Sequence, residues 1–171
     1  MFDKKEINIE EIKSLIPHRY PFLLIDRLIE IKPFESATGI KNVTINENFF
    51  QGHFENKAVM PGALIIESMA QSAGTLVLYS LKKTYENISV YLLSVDKAKF
   101  RKPVCPGDVL RMEVKKKITS RIFGNLFARV LWIVTWLLKL KLRLFYLIKI
   151  INEIKCNFLL MANYFSVIIL F

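Results

Sequence analysis

Chemistry is concentrated between Phe49 and Ala73, FFQGHFENKAVMPGALIIESMAQSA, where His53 and Glu67 stand out. Histidine titrates near neutral pH and can take a weakly acidic proton, whereas a carboxyl withdrawn from water is driven toward its neutral form and can donate one. A base and an acid of these types, working on neighbouring carbons, can run an elimination. Between them, Pro61-Gly62 introduces a helix. The first N–H groups of a helix have no partner within it and lie at its positive end. They suit a thioester carbonyl that gathers negative charge in an enolate-like transition state, and Gly62 lets the backbone come close. On residue type alone, a single histidine and a single buried glutamate more often serve as structural polar groups held by hydrogen bonds. Gln71, four residues past Glu67 on the same helix face, either orients that carboxyl or meets a polar loop. His18, the only other histidine, reads as a loop or helix-end residue that positions the neighbouring strand.

These side chains need a scaffold, and its elements can be read in order. Asn8 to Leu15 has helical spacing of Ile9, Ile12 and Leu15 and stops before Pro17. Phe22 to Ile31 and Ala37 to Val43 carry strand-forming residues around a turn at Pro33 to Ser36, with Gly39 expected to mark a bulge. Gly62 to Lys82 is apolar nearly all round, the pattern of a buried helix, so the glutamate within it calls for an explanation. Val90 to Val95, Ala98 to Val104 and Val109 to Lys117 read as further strands, separated at Asp96 and at the turn Pro106 to Asp108. One buried helix among antiparallel strands predicts an α+β domain wrapped round a central helix.

Composition excludes several roles. The 171 residues carry a net charge of +10, but residues from Thr119 onward hold 7 basic side chains against Glu153 alone. The basic residues of the first part are scattered and no nucleic-acid-binding motif organises them, so no nucleic-acid partner is expected. Cys105 and Cys156 lie far apart without metal-ligand spacing, which predicts reduced thiols and no metal. The N-terminal segment lacks the apolar run of a secretory signal, so a cytoplasmic location is expected.

The segments GHF, VMPG and LIIESMAQ, together with LIPHRYPFLLIDR before them and VDKAKFRKPVCPGD after them, resemble the FabZ-type 3-hydroxyacyl-[acyl-carrier-protein] dehydratases. The likeness covers nearly all of residues 10 to 115. It implies a hot-dog fold, no cofactor, acyl carrier protein as the bearer of substrate, and homo-oligomers, with dimers whose active sites draw on both subunits. It further implies that His53 is the base at the α-carbon, that Glu67 protonates the departing hydroxyl, and that Gly62 N–H holds the thioester carbonyl. Related enzymes that also isomerise the double bond have aspartate at the acid position, so Glu67 implies dehydration alone. Lys97, Lys99, Arg101 and Lys102 either form a basic rim that steers the acidic carrier protein or are simply a solvated face.

After about residue 118 the resemblance ends. A domain at 1–118 and a hydrophobic basic tail at 119–171 are therefore expected, the sheet lacking its last two strands and the tail helical or disordered. Leu126 to Ile151 is long enough for a membrane span, but Arg129, Lys139, Lys141 and Arg143 oppose insertion, and an amphipathic surface helix is the better membrane reading. A displaced reading frame is simpler. Permitted codons for Ser120 to Leu144, read two bases out of register, give SYIWKFICKGFMDSNLVTEAEASA, which resembles the family's closing strands. Two rival readings are a hot-dog thioesterase and a noncatalytic, membrane-associated product of a damaged gene.

Overall fold

The computed structural model describes residues 4–86, 88–96, 98–117, 125–132 and 136–148. Helix α1, Ile9–Leu15, begins with a capping box in which Asn8 Oδ1 accepts from Glu11 N–H while Glu11 Oε2 accepts from Asn8 N–H, each at 3.0 Å. At its far end Arg19 donates to the carbonyls of Lys13 and Ile16, so the guanidinium satisfies groups that the helix leaves open. Ile12 and Leu15 turn inward to the core.

Helix α2, Gly62–Leu81, is the centre of the fold. Thirteen of its residues are buried, and the small hydroxyls among them bond back to the helix: Ser72 to Ser68 O, Thr75 to Gln71 O and Ser80 to Leu76 O. Burial without loss of polar partners is thereby achieved. Its length and hydropathy would also suit a membrane span, but here it is the core helix. Lys82, with φ of 55°, ends it in the left-handed region.

Around α2 runs a six-stranded antiparallel sheet in the order β1-β2-β4-β5-β6-β3. The strands are β1 Arg27–Lys32, β2 Ser36–Asn42, β3 Ile88–Asp96, β4 Val109–Lys117, β5 Asn125–Trp132 and β6 Trp136–Ile148. Ile65, Met69, Leu76, Leu28, Met112 and Val114 fill the space between helix and sheet. This is the hot-dog arrangement expected from the sequence.

Several local expectations differ from what forms. Register shifts occur in β1 between Ile29 and Lys32, where Glu30 has φ of 54°, and in β3 between Leu92 and Ser94, and not at Gly39, which pairs in register with Leu28 and Met112. Gly39 is needed for proximity: a Cβ built there would lie 2.7 Å from Ser72 Cβ, where α2 crosses β2. Residues 22–26 do not start β1, because side chains of α2 take their backbone groups: Gln71 bonds Phe22 O and Leu24 N, and Ser68 bonds Leu24 O. Ala98 to Val104 is a loop and not a strand. Pro103 has no N–H for a ladder, and Val104 O accepts from Met60 N–H at 2.7 Å.

The backbone at 125–132 and 136–148 forms β5 and β6, which pair with β4, with β3 and with each other. Leu138 to Leu144 alternates leucine with Lys139, Lys141 and Arg143, which is the strand period of two. An alternating segment can pair with the backbone groups that β4 and β3 would otherwise leave open. The expected boundary at 118, the chain from 149 to 171 and Cys156 lie outside the described residues.

Candidate active site

A short 3-10 turn, Asn48–Gln51, leads into the loop that carries His53. Glu47 secures its start, with one oxygen 2.9 Å from the largely buried Lys41 ammonium and the other accepting from Thr44 N–H. His53 itself is fixed at three points. Its N–H bonds to Phe49 O, its carbonyl accepts from Val59 N–H, and its ring Nδ1 lies 2.6 Å from Val59 O. A carbonyl only accepts, so Nδ1 carries the hydrogen and Nε2 keeps a free lone pair. The ring is therefore set in the tautomer of a base. Phe54 stacks on it with centroids 4.0 Å apart.

His53 lines a cleft of about 320 Å³ with Gly62, Ile65, Phe100, Arg101 and Lys102, and Val59, Met60, Pro103 and Val104 complete the wall. Gly62 opens α2, and Pro61 before it supplies no side-chain cap. The N–H at this helix start thus remains available to a ligand oxygen at the positive end of a 20-residue helix. Phe100 covers the glycine so closely that a Cβ at position 62 would lie 2.8 Å from its ring. His53 and Gly62 share one cleft.

Glu67 is not part of that wall. It sits five residues further along α2, about 140° round the helix from Gly62 and so on another face. There Gln71 Nε2 donates to Glu67 Oε1 at 2.9 Å. The same amide donates to Phe22 O and accepts from Leu24 N–H, both at 2.8 Å, so every principal bonding site of Gln71 is used. Gln71 thus meets both the Glu67 carboxyl and the backbone of the 22–24 loop. His18, which sequence reasoning assigned to strand positioning, approaches the same oxygen, its Nε2 lying 3.4 Å from Glu67 Oε1.

The basic residues divide. Arg101 and Lys102 line the cleft, Lys99 is exposed beside it, and Lys97 lies outside the described residues. Phe100 escaped the sequence reading because an aromatic in an expected strand looks like core; its position before Arg101 and Pro103 was the available signal. Among the described residues no group of three or more His, Cys, Asp or Glu side chains is gathered as a metal site requires. Cys105 is a free thiol.

Known proteins resemble this chain over much of its length. The FabA-like domain family matches residues 16–133. The 3-hydroxyacyl-[acyl-carrier-protein] dehydratase FabZ of Gluconobacter oxydans is 57% identical over 113 residues, spanning 66% of this chain and 67% of its own length. The FabZ enzyme of Ehrlichia ruminantium is 51% identical over 129 residues, spanning 73% of this chain and 88% of its own. Among solved structures, the dehydratase heterocomplex ApeI:P from Xenorhabdus doucetiae superposes with a TM-score of 0.66 at 18% identity, covering 81% of this chain and 91% of that one. At that identity the likeness speaks for the fold.

Proposed function

Since the chain belongs to the FabA-like domain family, with FabZ dehydratases as its relatives at more than half identity, we propose that it removes water from (3R)-3-hydroxyacyl chains on acyl carrier protein. The product is the trans-2-enoyl thioester of fatty acid biosynthesis. His53 Nε2 takes the α-proton, and the electron pair of that C–H bond moves toward the thioester carbonyl, whose oxygen is held by Gly62 N–H. As the double bond forms, the β-carbon releases its hydroxyl, which leaves as water with the proton of Glu67. The observation that carries this reading is the pairing, in one cleft, of a histidine locked as a base by Val59 O with the open start of α2.

His53 and Glu67 face different surroundings in one chain, so the complete site draws Glu67 from a second copy, and the working unit is a homodimer or a larger assembly of dimers. Arg101 and Lys102 at the cleft give the acidic carrier protein a complementary rim. A cytoplasmic enzyme accords with this substrate. A thioesterase of the same fold would release free thiol and leave the hydroxyl in place; a noncatalytic product would do neither.

Ultraviolet absorbance of enoyl formation on a 3-hydroxyacyl carrier-protein substrate tests the proposal. His53→Ala is expected to lower the rate by about 10²- to 10⁴-fold, with no change in oligomer size. Full activity in that variant, or thiol release without enoyl product, overturns it.

A further inference from the structure

The sequence treats His18 as a bystander, but the fold brings it to Glu67 across 49 positions of chain. How it arrives there is visible in the loop after α1. Arg19 donates to His18 O at 2.7 Å as well as to the carbonyls that end α1, which pins the backbone of this turn. The imidazole then packs against Phe22, with centroids 6.2 Å apart and planes inclined by 26°. Phe22 O is in turn bonded by Gln71. One small cluster thus joins the loop after α1, the segment that leads to β1 and the middle of α2.

Its protonation follows from its neighbours. His18 Nδ1 is buried and has no hydrogen-bond partner among the described residues. An N–H there would be a buried donor with nothing to accept it, a state worth avoiding. A bare lone pair is the lesser loss. Nε2 then bears the hydrogen, 3.4 Å from Glu67 Oε1. The approach is longer than the 2.9 Å Gln71 bond, in keeping with contacts that tighten only once substrate fills a site.

We propose that His18 is a positioning residue for Glu67: with Gln71 it engages both lone pairs of Oε1, so that the transferable proton resides on Oε2. A carboxyl has two oxygens, and an acid that points its hydrogen at the wrong one must rotate or exchange before it can react. Two donors on Oε1 remove that choice. The assignment rests on Glu67 as the proton donor to the leaving hydroxyl.

The test compares full-length His18→Leu, His18→Gln and Glu67→Gln, alone and combined, on a 3-hydroxyacyl carrier-protein substrate. His18→Leu keeps the bulk and removes the donor, and is expected to lower kcat by about 10-fold or more with KM within about 2-fold. His18→Gln, whose amide N–H can reach the place of Nε2, is expected to recover most of kcat. On the Glu67→Gln background, His18→Leu is expected to cost nothing further, because no proton remains to be placed. Equal losses in the leucine and glutamine variants, or a full loss on the Glu67→Gln background, would sink the positioning role. If Glu67→Gln alone stays fully active, the acid assignment fails instead, and the two failures are distinguishable. Nitrogen-15 NMR of the histidine-labelled, unsubstituted protein provides a reading that no variant can confuse. His18 is expected as the Nε2–H tautomer, and an Nδ1–H tautomer would overturn the proposal.

Discussion

Gly39→Ala tests the packing that places the site. Gly39 has no positive φ, so alanine can adopt its backbone conformation, and any cost comes from space alone. The new Cβ would lie 2.7 Å from Ser72 Cβ, against an ordinary carbon contact of about 3.5–4 Å. Roughly 1 Å must be found. Ser72 cannot rotate out of the way, since the clash reaches its Cβ, and the residue is wholly buried with its hydroxyl bonded to Ser68 O. Helix and strand must separate. Overpacking of this kind costs about 1–3 kcal/mol, and replacing a strand glycine returns about 0.5–1 kcal/mol through the unfolded chain. A net loss of about 1 kcal/mol is expected, read as a lower urea midpoint at unchanged slope and fixed protein concentration. Ser72→Gly in the same chain removes the clashing carbon at about 1 kcal/mol of helix propensity and should offset most of the loss. Because Gln71 adjoins Ser72, a helix displaced by about 1 Å also misplaces Glu67, and kcat should fall by about 10-fold or more in protein that remains folded. Stability within about 0.5 kcal/mol of the parent, or failure of Ser72→Gly to compensate, would refute the close-approach argument.

Gln71→Met fills similar volume but leaves Leu24 N–H without its acceptor; we expect a loss of about 1–3 kcal/mol by denaturant titration and a reduced kcat. Glu11 is held below its ordinary value of 4.5, first by the hydrogen bond from Lys4 and then by that from Asn8 N–H, against a smaller opposing effect of desolvation. A depressed carboxyl contributes stability above its unfolded pKa and loses it as pH falls through the folded one, so Glu11→Gln should narrow the stability difference between pH 6 and pH 3 slightly, the pair being exposed. An acid titration identical in the two proteins would count against that linkage. We also propose that the chain from Ser120 to Leu144 follows a displaced reading frame. Sequencing the coding DNA beyond Lys115–Lys117 should reveal IWKF and LVTEAEA two bases out of register, and a frame-restored chain should exceed this one in enoyl formation; absence of those words ends the idea.

The central helix, its flanking strands and the nearness of His53 to Gly62 were legible because each depends on local pattern: all-round apolar content, turn residues, and short motifs. What escaped depends on contacts between distant residues. Nothing within PHRYP announces that His18 meets Glu67, and the strand-forming residues at 22–26 cannot show that Gln71 and Ser68 claim their backbone groups. Ala98 to Val104 has strand composition, yet Pro103 and the bond from Met60 make it the wall of the cleft. Gly39 shows the same limit, since a bulge and a close crossing both select glycine. In the last described strands the reverse held: the period of two in Leu138 to Leu144 was present in the residues, and the overall apolar and basic composition obscured it.

The phase of α2 has a consequence for how this gene can change. Gly62, Glu67 and Gln71 keep their relations only through the count of residues between them. Inserting or deleting one residue between Gly62 and Glu67 would turn the carboxylate by about 100° and shift it by about 1.5 Å relative to the helix start. Substitutions along this stretch can be graded in effect, but a change of length cannot. The interval from Gly62 to Gln71 is therefore a ruler: its side chains are open to drift, and its length is not.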